Sequence, residues 1–128
     1  MNRVRTRTPP IATAAAALAI TGCSSGPMTG CTDELRMSLA VYVIDAITGA
    51  SAASGATLIV HSAAFQDSVM LTRDGPYRQF EDAAGGGVYQ IVVRKPGYRD
   101  WSQSGIRIES DRCHVESPAI VTALLQPQ

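Results

Sequence analysis

From residue 35 onward, apolar and polar side chains alternate along the chain. Leu35, Met37, Leu39, Val41 and Val43 interleave with Arg36, Ser38, Ala40, Tyr42 and Ile44. That two-residue period predicts a long strand with one firmly apolar face. Shorter stretches of strand composition follow at Ala56 to His61, Ser68 to Thr72 and Tyr77 to Glu81. Between Val88 and Lys95, Tyr89, Ile91 and Val93 share a face opposite Gln90 and Arg94, and Ile106 and Ile108 alternate with Arg107 and Glu109. Cys113 to Leu125 supplies the last strand, with Pro118 marking a bulge or edge position. Turn chemistry separates these runs at Asp45-Ala46-Ile47-Thr48-Gly49, Arg73-Asp74-Gly75-Pro76, Gly85-Gly86-Gly87 and Pro96-Gly97. Nothing after residue 22 carries a capped 3.6-residue stripe. About seven short strands at this spacing predict an all-β sandwich of two sheets.

The first 34 residues follow other rules. Arg3, Arg5 and Arg7 stand without an acid, and a ten-residue apolar run from Ile11 to Ile20 is broken only by Thr13. A run of that length is too short for a hydrocarbon core needing about 20 helical residues, and basic flanks with small residues after it read as a cleavable export signal. Ile20-Thr21-Gly22-Cys23 resembles the lipobox of bacterial lipoproteins, with Ile20 in place of the commoner Leu. The resemblance implies a signal peptide over 1–22, lipid on Cys23, and a tether over 23–34 leading to a folded domain over 35–126. The alternative is an ordinary secretory signal with an incidental cysteine. Ser24 after the lipid-bearing position implies transfer to the outer membrane, on its periplasmic face. More than one acyl chain makes a stable anchor, so the membrane is reached through Cys23 alone.

Composition narrows the classes of function. Losing Arg3, Arg5 and Arg7 from eleven basic residues leaves eight against eleven acidic ones, a net charge of −3 over 106 residues with His neutral. A weakly acidic surface gives no electrostatic reason for nucleic acid. The three cysteines are Cys23, Cys31 and Cys113. With Cys23 lipidated, two remain in an oxidising compartment, and an even remainder points to a Cys31–Cys113 disulfide; two free thiols are the alternative.

Two strings carry a family resemblance. Asp45-Ala46-Ile47-Thr48-Gly49 followed by Ala53, Gly55 and Ala56 is similar to a "DxxTGxPxxGA" opening, with Ser51 or Ala52 where proline is common. Gly87-Val88-Tyr89-Gln90-Ile91-Val92-Val93 followed by Lys95-Pro96-Gly97-Tyr98 resembles a "GxYxIxVxKPGY" core. Together they resemble the carboxypeptidase regulatory-like domain over roughly residues 37 to 125. That implies a seven-stranded, immunoglobulin-like or transthyretin-like sandwich, a non-catalytic module that folds, spaces or binds. The preferred reading is action through protein or envelope contacts, with an envelope protein as the expected partner.

Candidate chemistry is sparse. A zinc hydrolase needs several His and Glu ligands, whereas the chain has only His61 and His114 and no HExxH string, so no metal or cofactor is expected. Cys113 and His114 are neighbours in sequence and would point to opposite faces of a strand, which separates nucleophile from base. Asp74, Asp82 and Asp100 lie near turns without an EF-hand pattern, and Gly85 to Gly87 lacks the helix that a phosphate loop requires. Trp101 with Tyr98 and Arg99 forms the one candidate binding group, a stacking platform for a sugar or peptide. The rival reading is an aromatic cap on the core.

Overall fold

The structure, a computed structural model, describes residues 30–128. Within them eight strands form two facing sheets: β1 (Met37–Asp45), β2 (Thr57–His61), β3 (Gln66–Met70), β4 (Tyr77–Phe80), β5 (Gly87–Arg94), β6 (Trp101–Ser110), β7 (Val115–Ser117) and β8 (Ala119–Leu125). One sheet has the order β4-β1-β8 and the other β3-β2-β5-β6-β7. The all-β sandwich expected from the alternation is therefore present.

The apolar faces meet between the sheets. Leu39, Val41 and Val43 of β1 face Leu58 and Val60 of β2 and Ile91 and Val93 of β5, all at most 1% exposed. Ile106 and Ile108 of β6 and Val121, Ala123 and Leu125 of β8 complete the layer. Each fully buried Val, Leu or Ile contributes roughly 1.5–3 kcal/mol over leaving it in water. β1 is the middle strand of its sheet. It runs antiparallel to β4, and parallel to β8 from Leu39↔Ala119 to Asp45↔Leu125.

β1 starts at Met37 and leaves Leu35, expected on its apolar face, 52% exposed. Three larger differences from the sequence pattern each have a physical reason. The single strand expected over Cys113 to Leu125 divides at Pro118. β7 pairs with β6, while β8 crosses to the other sheet beside β1, giving eight strands rather than seven. Proline has no N–H for a ladder, so the sheet change falls where a bond is already missing. β6 begins at Trp101, five residues before the alternating Ile106, because Ser102 and Gln103 pair through backbone with Val92 and Ile91. β3 covers Gln66–Met70 rather than Ser68 to Thr72; Leu71 leaves the strand but exchanges backbone bonds with Ala56 and Gly55.

The Lys95-Pro96-Gly97-Tyr98 turn closes with Tyr98 N–H donating to the Lys95 carbonyl at 3.1 Å, and Gly97 sits at φ +84°. Proline then glycine at the central positions, with positive φ at the second, is the requirement of a type II turn. At the opposite side of the chain, Cys31 is bonded to Cys113 across 82 residues. A loop that long lowers the entropy of the unfolded chain by up to about 4–5 kcal/mol in the chain-entropy account.

Candidate functional site

Beside the disulfide lies a cleft of about 370 Å³, bounded by residues 31–35, the loop after β4 and the β6–β7 connection. Its geometry starts from Asp111. The Asp111 Oδ1 accepts the backbone N–H groups of Cys113 and His114, each at 2.7 Å, and Asp111 N–H donates to the His114 carbonyl. This Asx-type turn places both the disulfide and the imidazole. The same two N–H groups hold the Asp111 carboxyl below its ordinary value.

The imidazole then meets Glu81, which follows β4. Nδ1 of His114 lies 2.7 Å from Oε1 of Glu81, and both side chains are nearly buried. Glu81 Oε2 accepts Val115 N–H at 2.7 Å and Oε1 accepts Arg36 N–H at 3.2 Å. The Val115 bond, then those of His114 and Arg36, keep this carboxyl ionised to lower pH than usual. An ionised carboxylate only accepts, so Nδ1 carries the proton on this side. On the other, Nε2 lies 2.9 Å from the Thr32 hydroxyl.

Hydroxyl, imidazole and carboxylate thus stand in the order of an acyl-transfer relay. Their bonds also tie strands together. Glu81 joins the end of β4 to the starts of β1 and β7, and His114 extends that tie to Thr32 next to Cys31. A covalent bond and a hydrogen-bonded string therefore fix residues 31–36 side by side.

The residues singled out from sequence fall elsewhere. Cys23 lies outside the described residues. Trp101 opens β6 opposite Val93, and both Trp101 and Tyr98 are partly buried against the core. The Tyr98 hydroxyl donates to Asp45 Oδ2 at 2.7 Å, and the Lys95 ammonium sits 5.5 Å over its ring. Arg99 is exposed, and its backbone N–H is bound to the Gln126 carbonyl. The two aromatic rings are thus both packed against the sandwich core. His61 ends β2 in an exposed position, in another element from His114. Among the described residues no three His, Cys, Asp or Glu side chains are grouped to hold a metal ion. Glu81, Thr32 and Asp111 are not foreshadowed as a cluster, because their contacts span up to 82 residues and leave no local spacing. The Asp two residues before Cys113 was the available hint of a turn.

No protein-family model matches this chain, and no curated protein matches it.

Proposed function

We propose that this chain is a lipid-anchored, non-catalytic module of the bacterial cell envelope, held at the periplasmic face of the outer membrane through Cys23 and working by contact with an envelope protein. The observation that carries the reading is the cysteine pairing. Cys31 and Cys113 are bonded to one another, so of three cysteines only Cys23 stands outside that bond, directly after a lipobox-like string. Seven residues then separate the acylated position from the first fixed one, a short tether that keeps the sandwich close to the bilayer.

The polar groups support a structural role. Asp45, Glu81 and Asp111 each accept two or more bonds from turns and strand starts. The motif residues that resemble a carboxypeptidase regulatory-like domain sit in the same kind of place: Asp45 to Gly49 turns the chain after β1, and Lys95 to Tyr98 turns it after β5.

The test is the intact mass of protein extracted from membranes. Cleavage before Cys23 with a diacylglyceryl and an N-acyl group is expected, and Cys23→Ser should accumulate as the full-length precursor. A mature chain starting elsewhere, or an unmodified Cys23, overturns the anchor. Photo-cross-linking in cells from the exposed turn residues Ser54 and Arg73 addresses the contact: a defined envelope protein, absent from an unirradiated control, is the expected adduct.

A further inference from the structure

Alternation decides which side chains the three-stranded sheet turns outward. Leu39, Val41 and Val43 of β1 belong to the core, so Tyr42 and Ile44 point away from it. On β8, Ile120, Thr122 and Leu124 do the same around buried Val121 and Ala123. On β4, Arg78 and Phe80 flank buried Gln79. Tyr42, Phe80, Ile120 and Leu124 are 38, 41, 67 and 50% exposed. The parallel register sets Tyr42 beside Thr122 and Ile44 beside Leu124, so the apolar positions run on from one strand to the next. Ile47, 74% exposed, stands just past the end of β1.

Charge separates this face from the other. Among the outward positions of β1, β4 and β8, Arg78 alone is charged. The outer face of the five-stranded sheet shows Gln90, Arg94, Arg107 and Glu109. Exposed apolar side chains are ordinary when scattered; gathered on one face they mark a contact.

The chain itself indicates what lies nearest. Cys31 follows Cys23 by eight residues, and eight extended steps span at most about 29 Å. β1 and β8 run parallel from the end where residues 31–36 are fixed, and nine residues of strand cover about 30 Å. With acyl chains on Cys23, the sheet can therefore lie flat on the bilayer within the reach of its tether. A protein partner has to be recruited, whereas the bilayer is present at the effective concentration that a short tether sets. Arg78 suits anionic headgroups, and the Tyr42 phenol is of the kind that settles at headgroup level.

We propose that the outer face of the β4-β1-β8 sheet lies against the phospholipid surface, with Phe80, Ile120 and Leu124 at the boundary between headgroups and acyl chains. The inference rests on the lipid anchor at Cys23, which brings the bilayer to the sheet. It turns the charged outer face of the five-stranded sheet to water.

The test uses the lipidated protein extracted from membranes and reconstituted in vesicles of phosphatidylethanolamine and phosphatidylglycerol. On irradiation, a benzophenone side chain at position 120 or 124 should give an adduct heavier by one phospholipid. The same probe at position 90 or 107, on the other face, should not. Ile120→Glu should lower the yield from position 124 by roughly tenfold. Position 120 faces solvent, and the retained Cys31–Cys113 bond with an unchanged circular dichroism spectrum reports the fold. Flotation with the vesicles reads the anchor separately. A protein that floats without lipid adducts from 120 and 124 overturns the proposal and leaves the anchor standing. Equal lipid adducts from 90 and 107, or an adduct with another protein chain in place of lipid, do the same. A protein that does not float overturns both.

Discussion

The hydroxyl of Tyr98 donates to the carboxylate of Asp45 at 2.7 Å, tying the turn after β5 to the turn after β1. The other oxygen of Asp45 accepts Ile47 N–H and Thr48 N–H at 2.8 and 2.9 Å. Beside this bond the Lys95 ammonium donates to the Ala52 carbonyl at 2.9 Å. The Lys-Pro-Gly-Tyr turn also takes the last residues of the chain, through Arg99 N–H to Gln126 and Gln128 N–H to Gly97. Three segments distant in sequence are joined by one four-residue turn.

The two partners are not equivalent. Tyr98→Phe removes one donor and keeps the ring on the core. Asp45→Ala strands three donors and unties the turn itself. Asp45→Ala should lower the melting temperature more than Tyr98→Phe, and the double variant should fall short of the sum of the two. Thermal unfolding followed by circular dichroism checks both points; equal effects would show that the phenol bond is the whole of the contribution.

Stability should fall at both ends of the pH scale. The carboxyls of Asp45, Glu81 and Asp111 lie below their ordinary values of 3.8, 4.5 and 3.8, mainly through bonds from Thr48, Val115 and His114 N–H groups respectively. A depressed folded value means that the contribution is full above the unfolded value and is lost as pH drops through the folded one. The phenol of Tyr98 is raised above 10.0, first by its bond to Asp45. Its contribution is full below that pH and is lost as pH climbs through the raised value. Urea midpoints across pH should show both limbs, and Tyr98→Phe should flatten the alkaline one; an unchanged alkaline limb would leave it to Tyr77, which burial raises as well.

Replacing Cys31 and Cys113 together by Ser should cost up to about 4 kcal/mol of unfolding free energy, judged from the 82-residue separation. The loss should not be uniform. Residues 32–36 keep their bonds to Glu81, to His114 and, through the Arg36 guanidinium, to the Val115 carbonyl, so their amides should exchange faster while those of Leu39 to Val43 change with global stability alone. His114→Ala in the disulfide-free background should release the segment further. Urea titration and amide hydrogen exchange separate the two effects.

Neighbouring glycines in the loop before β5 should respond oppositely. A Cβ on Gly86 would strike the Ser110 hydroxyl and lie 2.8 Å from its Cβ, with the Ile108 carbonyl at 3.3 Å. At Gly85 the nearest atom is the Glu81 carbonyl at 3.9 Å. Gly86→Ala should destabilise by about 1–3 kcal/mol, and Ser110→Gly should restore part of it. Gly85→Ala should be close to neutral. Chemical denaturation of the four variants decides this, and equal costs at both glycines would reject the packing argument.

These contacts show why some of the molecule was readable in advance. Leu39, Val41 and Val43, like Tyr89, Ile91 and Val93, sit on half-buried faces, so their period is printed in the chain. Ser102 and Gln103 are held by backbone pairing with exposed side chains and leave no such print. Pro118 announced an interrupted ladder, but the change of sheet depends on what lies beside residues 119–125 in space. The cysteine count anticipated the bond between Cys31 and Cys113 because pairing is arithmetic. The tie from Glu81 to His114 and Thr32 joins residues with no local rule between them.

The parallel ladder between β1 and β8 has a consequence for how the chain is made. The first strand can pair with β4 once residue 80 is made, but it becomes the middle of its sheet only when residues 119–125 are in place. Non-local closure of this kind is slow. Without residues 119–125, β1 would be left an edge strand, paired with β4 alone.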